Sequence, residues 1–294
     1  GAWQEALENQ AKRSRRQRYG ALGLTAALVV AVTVALLPSA ETTMAPSIAS
    51  VDRARNVVEV SEDAHWVPAA VNTPVVTGQV VRTGTASGVS ITLASGINVR
   101  LAANTRVGFV GPARLSLAQG QVYVDTGVSQ GGEKGIVVVT PSGTARDIGT
   151  QFVVDAGVAG ADMLTVSVRE GSVEFSDGDR LELAQAGESL IVDPDAIARE
   201  DVKPDAPLWE WTQQIAPPFE IAGQTATSFL EWVARETGKP LRYEAPAARQ
   251  AAAEMRLFGS IEGLTPLASL RVIEASSGGS LSVVATGGEL VVGL

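Results

Sequence analysis

The sequence predicts a membrane-anchored protein with a single transmembrane helix, a mainly-β domain (an antiparallel sandwich or a coiled β structure) and a small α+β domain at its C-terminal end. Three patterns in the 294 residues support this fold class. An uncharged run covers 19–40, apolar and polar residues alternate with period two through 48–193, and mixed helix and strand patterns cover 217–294. These regions define the expected domains.

The uncharged run is long enough to cross a lipid bilayer as a helix. It contains no Asp, Glu, Lys, Arg or His, and at about 1.5 Å per residue it reaches roughly 33 Å, against about 30 Å of hydrocarbon. A basic cluster stands just before it: Lys12, Arg13, Arg15, Arg16 and Arg18. Because basic residues stay on the cytoplasmic side, we expect 1–18 to be cytoplasmic and the residues after the run to be exported, which is compatible with a bacterial periplasm.

Two other interpretations of the run fit less well. A cleaved signal peptide usually has an apolar core of about 7–15 residues, and a cut after Ala40 would place Pro38 where a small residue is preferred. A buried core helix is disfavoured because the run is apolar on every face. The chain begins with Gly1 rather than Met, so we expect 1–18 to be the end of a longer, truncated segment.

Composition argues against several kinds of site. The chain has no Cys and a single His, His65, so we expect neither disulfides nor a structural zinc site. The net charge of −9 argues against nucleic acid as a partner. The sequence has no phosphate-binding Gly-rich loop and no evident nucleophile–base pair, so we expect no enzyme, cofactor or metal site.

The alternating region follows a short polar linker at 41–47. Apolar residues face one side and Ser, Thr, Arg or Glu face the other, and glycines interrupt the runs at about ten-residue intervals. The clearest alternating runs are 89–93, 114–117, 121–125, 164–168, 172–175 and 180–183. This pattern predicts antiparallel strands with one face buried and the other solvated.

A second linker is expected at 194–216, where three prolines resist regular structure and Trp209 and Trp211 are expected to dock on a neighbouring element. From 217 onward the spacing of apolar residues changes from a period of two to a mixture of helix and strand patterns. The predicted elements are strands at 219–221, 241–243 and 255–258, helices at 227–236 and 266–275, and a hairpin of 281–284 with 290–292.

One dipeptide, Gly149–Thr150, stands between two strand-like runs. If the fold twists this peptide bond, the threonine hydroxyl can attack the glycine carbonyl and form an ester, which water then cleaves. Glycine suits the position because it tolerates unusual backbone angles. The alternative is a turn glycine followed by an ordinary strand threonine.

Five segments occur in the order found in FecR-type transmembrane regulators: 49–54, 93–107, 117–125, 139–152 and 168–175. The region 48–193 therefore resembles the periplasmic domain of that family, and 217–294 resembles the short secretin/TonB-type domain that often follows it. The resemblance also implies that the anchor lies in a bacterial inner membrane. The family's cytoplasmic sigma-binding module is usually much longer than the segment that precedes the anchor here. The alternative to truncation is that this member has lost direct sigma control.

The resemblance implies signal transfer. In this family an outer-membrane TonB-dependent receptor, loaded with an iron chelate or a similar ligand, contacts the periplasmic part through its signalling domain. The regulator then controls a cytoplasmic extracytoplasmic-function sigma factor. Because some members cut themselves at a Gly-Thr bond, the resemblance also makes Gly149 and Thr150 candidates for self-cleavage.

We expect the receptor contact to form by strand addition at an exposed sheet edge. The candidate edge residues are Phe219, Ile221, Leu290 and Val292. The alternative function is a membrane-tethered envelope structural protein or glycan-binding protein without sigma control.

Overall fold

The computed structural model describes residues 46–127, 135–158, 160 and 163–294. The uncharged run at 19–40, its basic flank and most of the first linker lie outside these residues, so the transmembrane helix stays a prediction. Within the described ranges, no helix has the length and apolar character needed to span a bilayer. The stretch from Pro46 to Leu294 is one compact unit.

Most of this unit is β-structure, as the alternating pattern predicts. The first strands in chain order are β1 (Ser47–Arg55), β2 (Val58–Glu62), β3 (His65–Pro68), β4 (Pro74–Val76), β5 (Val80–Thr83), β6 (Gly88–Leu93), β7 (Asn98–Leu101), β8 (Arg106–Gly111) and β9 (Arg114–Gln119). The next are β10 (Gln121–Asp125), β11 (Val137–Thr140), β12 (Gly143–Asp147), β13 (Gln151–Asp155), β14 (Leu164–Glu170), β15 (Ser172–Ser176), β16 (Leu181–Gln185), β17 (Glu188–Val192) and β18 (Ile197–Asp201).

These strands form two nine-stranded sheets within the described residues. Sheet 1 has the order β18-β17-β14-β13-β10-β7-β6-β1-β4, and sheet 2 has the order β16-β15-β12-β11-β9-β8-β5-β2-β3. The chain passes from one sheet to the other after every one or two strands, which gives a coiled sandwich. The expectation of antiparallel pairing holds with one correction: β9 and β11 pair in parallel.

One apolar core fills the space between the sheets. In β8, Val107 and Phe109 are buried whereas Arg106 and Val110 are exposed, which is the alternation expected of a half-buried strand. The two sheets contribute side chains such as Val122 and Val138 to the same cluster. Burying each such side chain stabilises the fold by about 1.5–3 kcal/mol.

The outer face of sheet 1 departs from the expected solvated surface. Several of its polar side chains are buried, among them Arg100 and Arg169, because the C-terminal part of the chain packs against this face. Alternation identified these positions as outward-facing, but it carries no information about a second layer. A polar outward face can be covered when its charges are paired there.

The segment expected to be a linker contains regular structure. Strand β18 adds to the edge of sheet 1 beside β17. A 3₁₀ turn at Pro207–Trp209 leads directly into helix α1 (Glu210–Gln214). Trp209 is fully buried against Tyr123 and Val153, so it does dock the segment onto sheet 1.

The C-terminal part contains four helices and a small sheet in the described residues. The elements are α2 (Ala226–Thr237), β19 (Leu241–Tyr243), α3 (Pro246–Glu254), α4 (Pro266–Ser269), α5 (Arg271–Ser277), β20 (Ser282–Ala285) and β21 (Leu290–Gly293). Helix α2 begins where the Thr225 hydroxyl accepts a hydrogen bond from the Ser228 amide, and it ends at Gly238 in the left-handed conformation. The sheet order is β19-β21-β20.

Three element predictions in this part are wrong. Residues 219–221 and 255–258 form no strand; the second stretch makes only an isolated bridge between Arg256 and Thr225. The single helix expected at 266–275 is two helices. Helix α3 was missed because it is rich in alanine and buries only Ala248 and Ala252, so it lacks a strong apolar period.

Candidate functional site

The Gly149–Thr150 bond lies in the turn between β12 and β13. Gly149 has a φ of +78°, in the left-handed region that favours glycine, which agrees with the expected reason for a glycine at this position. Thr150 is almost fully buried, with 1% of its surface exposed. Gly171 packs so closely on this turn that a Cβ there would lie 2.2 Å from the Gly149 carbonyl oxygen. Thr150 therefore lies in a buried, crowded position, whereas Gly149 on the other side of the bond is exposed.

Two side chains hold Thr150 in place. Its hydroxyl donates a hydrogen bond to Asp147 Oδ1. Its amide donates to Thr126 Oγ1 at 2.8 Å, and the Thr126 hydroxyl donates in turn to the Thr150 carbonyl at 3.1 Å. A carboxylate thus contacts the hydroxyl that would attack, and the amide nitrogen that would leave is fixed by a second hydroxyl.

Asp147 has the properties of a general base for this hydroxyl. Burial raises the pKa of its carboxyl, and the hydrogen bond from Thr150 opposes this shift only in part. Among the residues that the structure describes, none donates a hydrogen bond to Asp147 Oδ2. A carboxylate with a raised pKa accepts a proton more readily than an ordinary aspartate does.

Asp147 was not among the candidates that the sequence suggested. It stands three residues before Thr150, at the end of β12, where it looks like an ordinary polar residue that closes a strand. The available signal was a carboxylate close in sequence to a threonine in a turn. Only the turn geometry brings the two side chains together.

Helix α2 is tied to the strands that hold this turn. Arg235 donates to Asp125 at 2.5 and 3.2 Å and to Glu170 at 2.8 Å. Burial alone would raise the pKa of Asp125, but the hydrogen bond and charge of Arg235 outweigh it and lower that pKa. These two carboxylates directly precede Thr126 and Gly171 in the chain, so one arginine fixes both residues that pack on the Gly149–Thr150 bond.

A buried ion pair joins α2 to sheet 1 nearby. Arg100 donates to the two carboxylate oxygens of Glu236 at 2.6 and 2.8 Å, and the side chains are 0% and 5% exposed. Arg100 also donates to the Thr212 carbonyl at 3.0 Å and to Asn98 Oδ1 at 2.8 Å. Burial would lower the pKa of Arg100, but Glu236 outweighs it and the net shift is upward.

A second arginine of sheet 1 stacks beside this pair. The guanidinium of Arg169 lies 4.5 Å from the Trp209 ring centre and 5.9 Å from that of Tyr123. It donates to the Glu236 carbonyl at 3.3 Å, while its Nε and Nη2 have no hydrogen-bond partner among the described residues. Burial lowers its pKa. Sheet 1 and α2 are therefore joined by a charged and aromatic layer.

The β-sandwich matches a known family. Residues 79–174 match the family model for FecR protein. This part of the chain is a FecR domain. The match runs from β5 into β15 and includes Gly149, Thr150 and Asp147, whereas Arg235 and Glu236 lie outside it.

Solved structures resemble the chain only loosely. Two crystal structures of a candidate anti-sigma factor from Parabacteroides distasonis ATCC 8503 share 18% identity with it. Each comparison covers 72% of this chain and 97% of the other, with TM-scores of 0.39 and 0.40. A likeness of this degree carries no conclusion about function. No curated relative matches the chain.

The predicted strand-addition edges outside the FecR domain need correction. Leu290 and Val292 belong to β21, the central strand of the small sheet, which pairs with β19 on one side and β20 on the other. It therefore has no free edge. Phe219 and Ile221 lie in a stretch without strand structure, where the Phe219 ring stacks on Trp232 at 5.1 Å.

Proposed function

We propose that this protein is an inner-membrane signal transducer of the FecR type. It relays the state of an outer-membrane TonB-dependent receptor to a cytoplasmic extracytoplasmic-function sigma factor. The observation that carries the proposal is the FecR domain at 79–174. The uncharged run and its basic flank support the membrane topology, with the FecR domain in the periplasm.

The way the C-terminal part is attached supports a role in signalling. A partner that binds there reaches the FecR domain through α2, because Arg235 and Glu236 hold that helix to Asp125, Glu170 and Arg100. Of these pairs, Arg100–Glu236 is the buried one, and packed contacts of this kind switch between discrete arrangements rather than deforming gradually. Partner binding can therefore be transmitted as a change in this layer.

The test is a transcriptional reporter in cells that carry the full chain. We expect deletion of the gene to change the signal-dependent output of a promoter read by one extracytoplasmic-function sigma factor, and the full chain to restore it. A protease added to spheroplasts should digest the FecR domain. Unchanged output from every such promoter in the deletion strain would contradict the proposal.

A second function, self-cleavage at Gly149–Thr150, is favoured by the contact between the Thr150 hydroxyl and Asp147. In this reaction Asp147 takes the hydroxyl proton as Thr150 Oγ1 attacks the Gly149 carbonyl carbon. The carbon–nitrogen bond breaks, the proton passes to the leaving amine, and an ester joins the two pieces. Water then hydrolyses the ester and releases the Gly149 carboxylate and a free amine at Thr150.

A further inference from the structure

A cavity of about 490 Å³ lies where β1 of the sandwich meets the C-terminal part of the chain; we call it the β1–α2 pocket. Its apolar wall includes Phe219 and Trp232, whose rings stack with centres 5.1 Å apart and planes 25° apart. Phe229 packs behind them at 5.9 Å from Phe219. The volume and the aromatic lining are typical of ligand-binding pockets, which span about 300–1,000 Å³.

The charges around the pocket are unbalanced. Asp52, Glu220 and Glu262 face a single cationic side chain, Arg53, which already donates to the Ala216 carbonyl at 3.2 Å. Burial raises the pKa of Asp52, so a cation beside it would stabilise its charged form. The pocket therefore complements a ligand with an apolar part and a positive charge.

The rim of the pocket is open to another chain. Among the described residues, the amides of Phe219 and Glu220 donate no hydrogen bond to protein, and Glu220 is exposed, whereas Ile221 is buried. Exposed apolar side chains lie at the rim, with Val71 54% exposed and Phe258 70% exposed next to Gly259 in the wall. An exposed backbone position beside an apolar patch suits an extended polypeptide, whose carbonyl groups accept main-chain hydrogen bonds.

We propose that the β1–α2 pocket binds an extended segment of a partner protein in which an apolar side chain stands next to a lysine or arginine. The apolar side chain packs on Phe219 and Trp232, and the cation lies among the carboxylates. The partner's main chain accepts a hydrogen bond at the exposed Glu220, without the regular strand pairing that was expected at 219–221. This proposal names the contact chemistry of the periplasmic partner and rests on the proposed function.

The position of the pocket links its ligand to the buried charged layer. Trp232 lies on α2, three residues before Arg235 and four before Glu236, so it faces the same side of the helix. On the other wall, Asn98 donates to Asp52 at 3.4 Å and accepts from Arg100 at 2.8 Å. A bound segment therefore touches both halves of the contact that joins α2 to sheet 1.

The test uses the full chain in detergent micelles and short fluorescein-labelled peptides. Each peptide has a Gly/Ser background with a central Leu-Arg, Leu-Glu or Ser-Arg pair. Fluorescence anisotropy should show saturable binding of the Leu-Arg peptide, at least about tenfold tighter than binding of either other peptide. Equal affinities for the three peptides, or no binding of any, would overturn the proposal.

Three variants locate the site. Glu220→Gln and Glu262→Gln remove exposed carboxylates of the pocket and should each weaken the Leu-Arg peptide several-fold without unfolding the chain. Glu231→Gln removes an exposed carboxylate of α2 outside the pocket wall and is the matched control. A loss of binding in the control equal to that in the pocket variants would place the peptide elsewhere.

The sigma-factor reporter separates the two proposals. If the wild-type chain responds to the signal and the doubly substituted Glu220→Gln/Glu262→Gln chain responds equally, the pocket proposal fails and the transducer stands. If the wild-type chain controls no sigma factor, the proposed function fails, while peptide selectivity still reports on the pocket. A response lost only in the double variant supports both.

Discussion

The buried ion pair between Arg100 and Glu236 gives the sharpest test of how α2 is held. Replacing Glu236 with Gln keeps the size of the side chain but removes the charge that faces Arg100, whose side chain is 0% exposed. The remaining partners of Arg100, the Asn98 amide oxygen and the Thr212 carbonyl, are neutral. The substitution therefore leaves a buried guanidinium with no directly bonded counter-charge, since the nearby Asp125 is already paired with Arg235.

The expected cost follows from that loss. Removing one partner of a buried ion pair destabilises a protein by about 3–5 kcal/mol, against about 1 kcal/mol for a neutral buried hydrogen bond. We therefore expect Glu236→Gln to lower the free energy of unfolding by about 3–5 kcal/mol. The double variant Arg100→Met/Glu236→Leu should recover most of it, because it removes both charges of the buried pair.

The measurement is urea denaturation of the full chain in detergent micelles, followed by tryptophan fluorescence, since Trp209 lies in the same layer. The matched control is Glu289→Gln, which breaks the exposed pair with Arg242, where the side chains are 36% and 52% exposed. Solvent screens such a pair, so the control should change stability far less. An equal effect of the two substitutions would refute the argument that α2 depends on the buried charge.

Three further predictions concern the Gly149–Thr150 turn. Thr150→Ala should abolish self-cleavage and Thr150→Ser should keep it, because the hydroxyl is the attacking group. Mass spectrometry of the purified wild-type and Thr150→Ser chains would show two fragments that end and begin at this bond. Asp147→Asn should slow cleavage because it removes the base. The wild-type cleavage rate should rise with pH above the ordinary titration range of an aspartate, since the pKa of Asp147 is raised and its basic form appears at higher pH. A cleavage rate independent of pH would exclude Asp147 from the mechanism. Gly171→Ala should destabilise the fold more than Gly178→Ala, because each has a positive φ but only at Gly171 would the new Cβ meet the turn, 2.2 Å from the Gly149 oxygen. Thermal unfolding would compare these two variants, and equal losses would mean that the turn yields to the added methyl group.

The alternation of apolar and polar residues was sufficient to predict the strands of the β-sandwich. Side chains alternate along any strand, so the buried Leu115 and Leu117 of β9, in the predicted run 114–117, were visible as a period of two. The start of α2 also depends on residues close in the chain, because the Thr225 hydroxyl accepts a hydrogen bond from the amide three residues later. The same reasoning failed at 219–221. This stretch has the composition of a strand, but Phe219 packs on Trp232 and the backbone does not pair with another strand.

Only part of the candidate site could be predicted from the sequence. Gly149 and Thr150 are adjacent in sequence and could be recognised as a pair. Asp147 was missed because its closeness to the Thr150 hydroxyl depends on the turn angles and not on spacing. The strand-addition edges failed for a related reason. Whether β21 is an edge or a central strand depends on which strands pair with it, and β19 lies more than forty residues away in the chain.

By itself, the sequence determined features that depend on residues close together in the chain: the uncharged run, the period-two strands and the glycine in the turn before Thr150. Only the tertiary structure decided which outward face would be covered. Arg100 and Arg169 looked like solvated strand residues, yet they lie beneath α2, with Arg100 paired to a glutamate 136 positions further along the chain. Such a contact forms because desolvated charges need partners wherever the chain brings them, and that requirement leaves no mark on local periodicity.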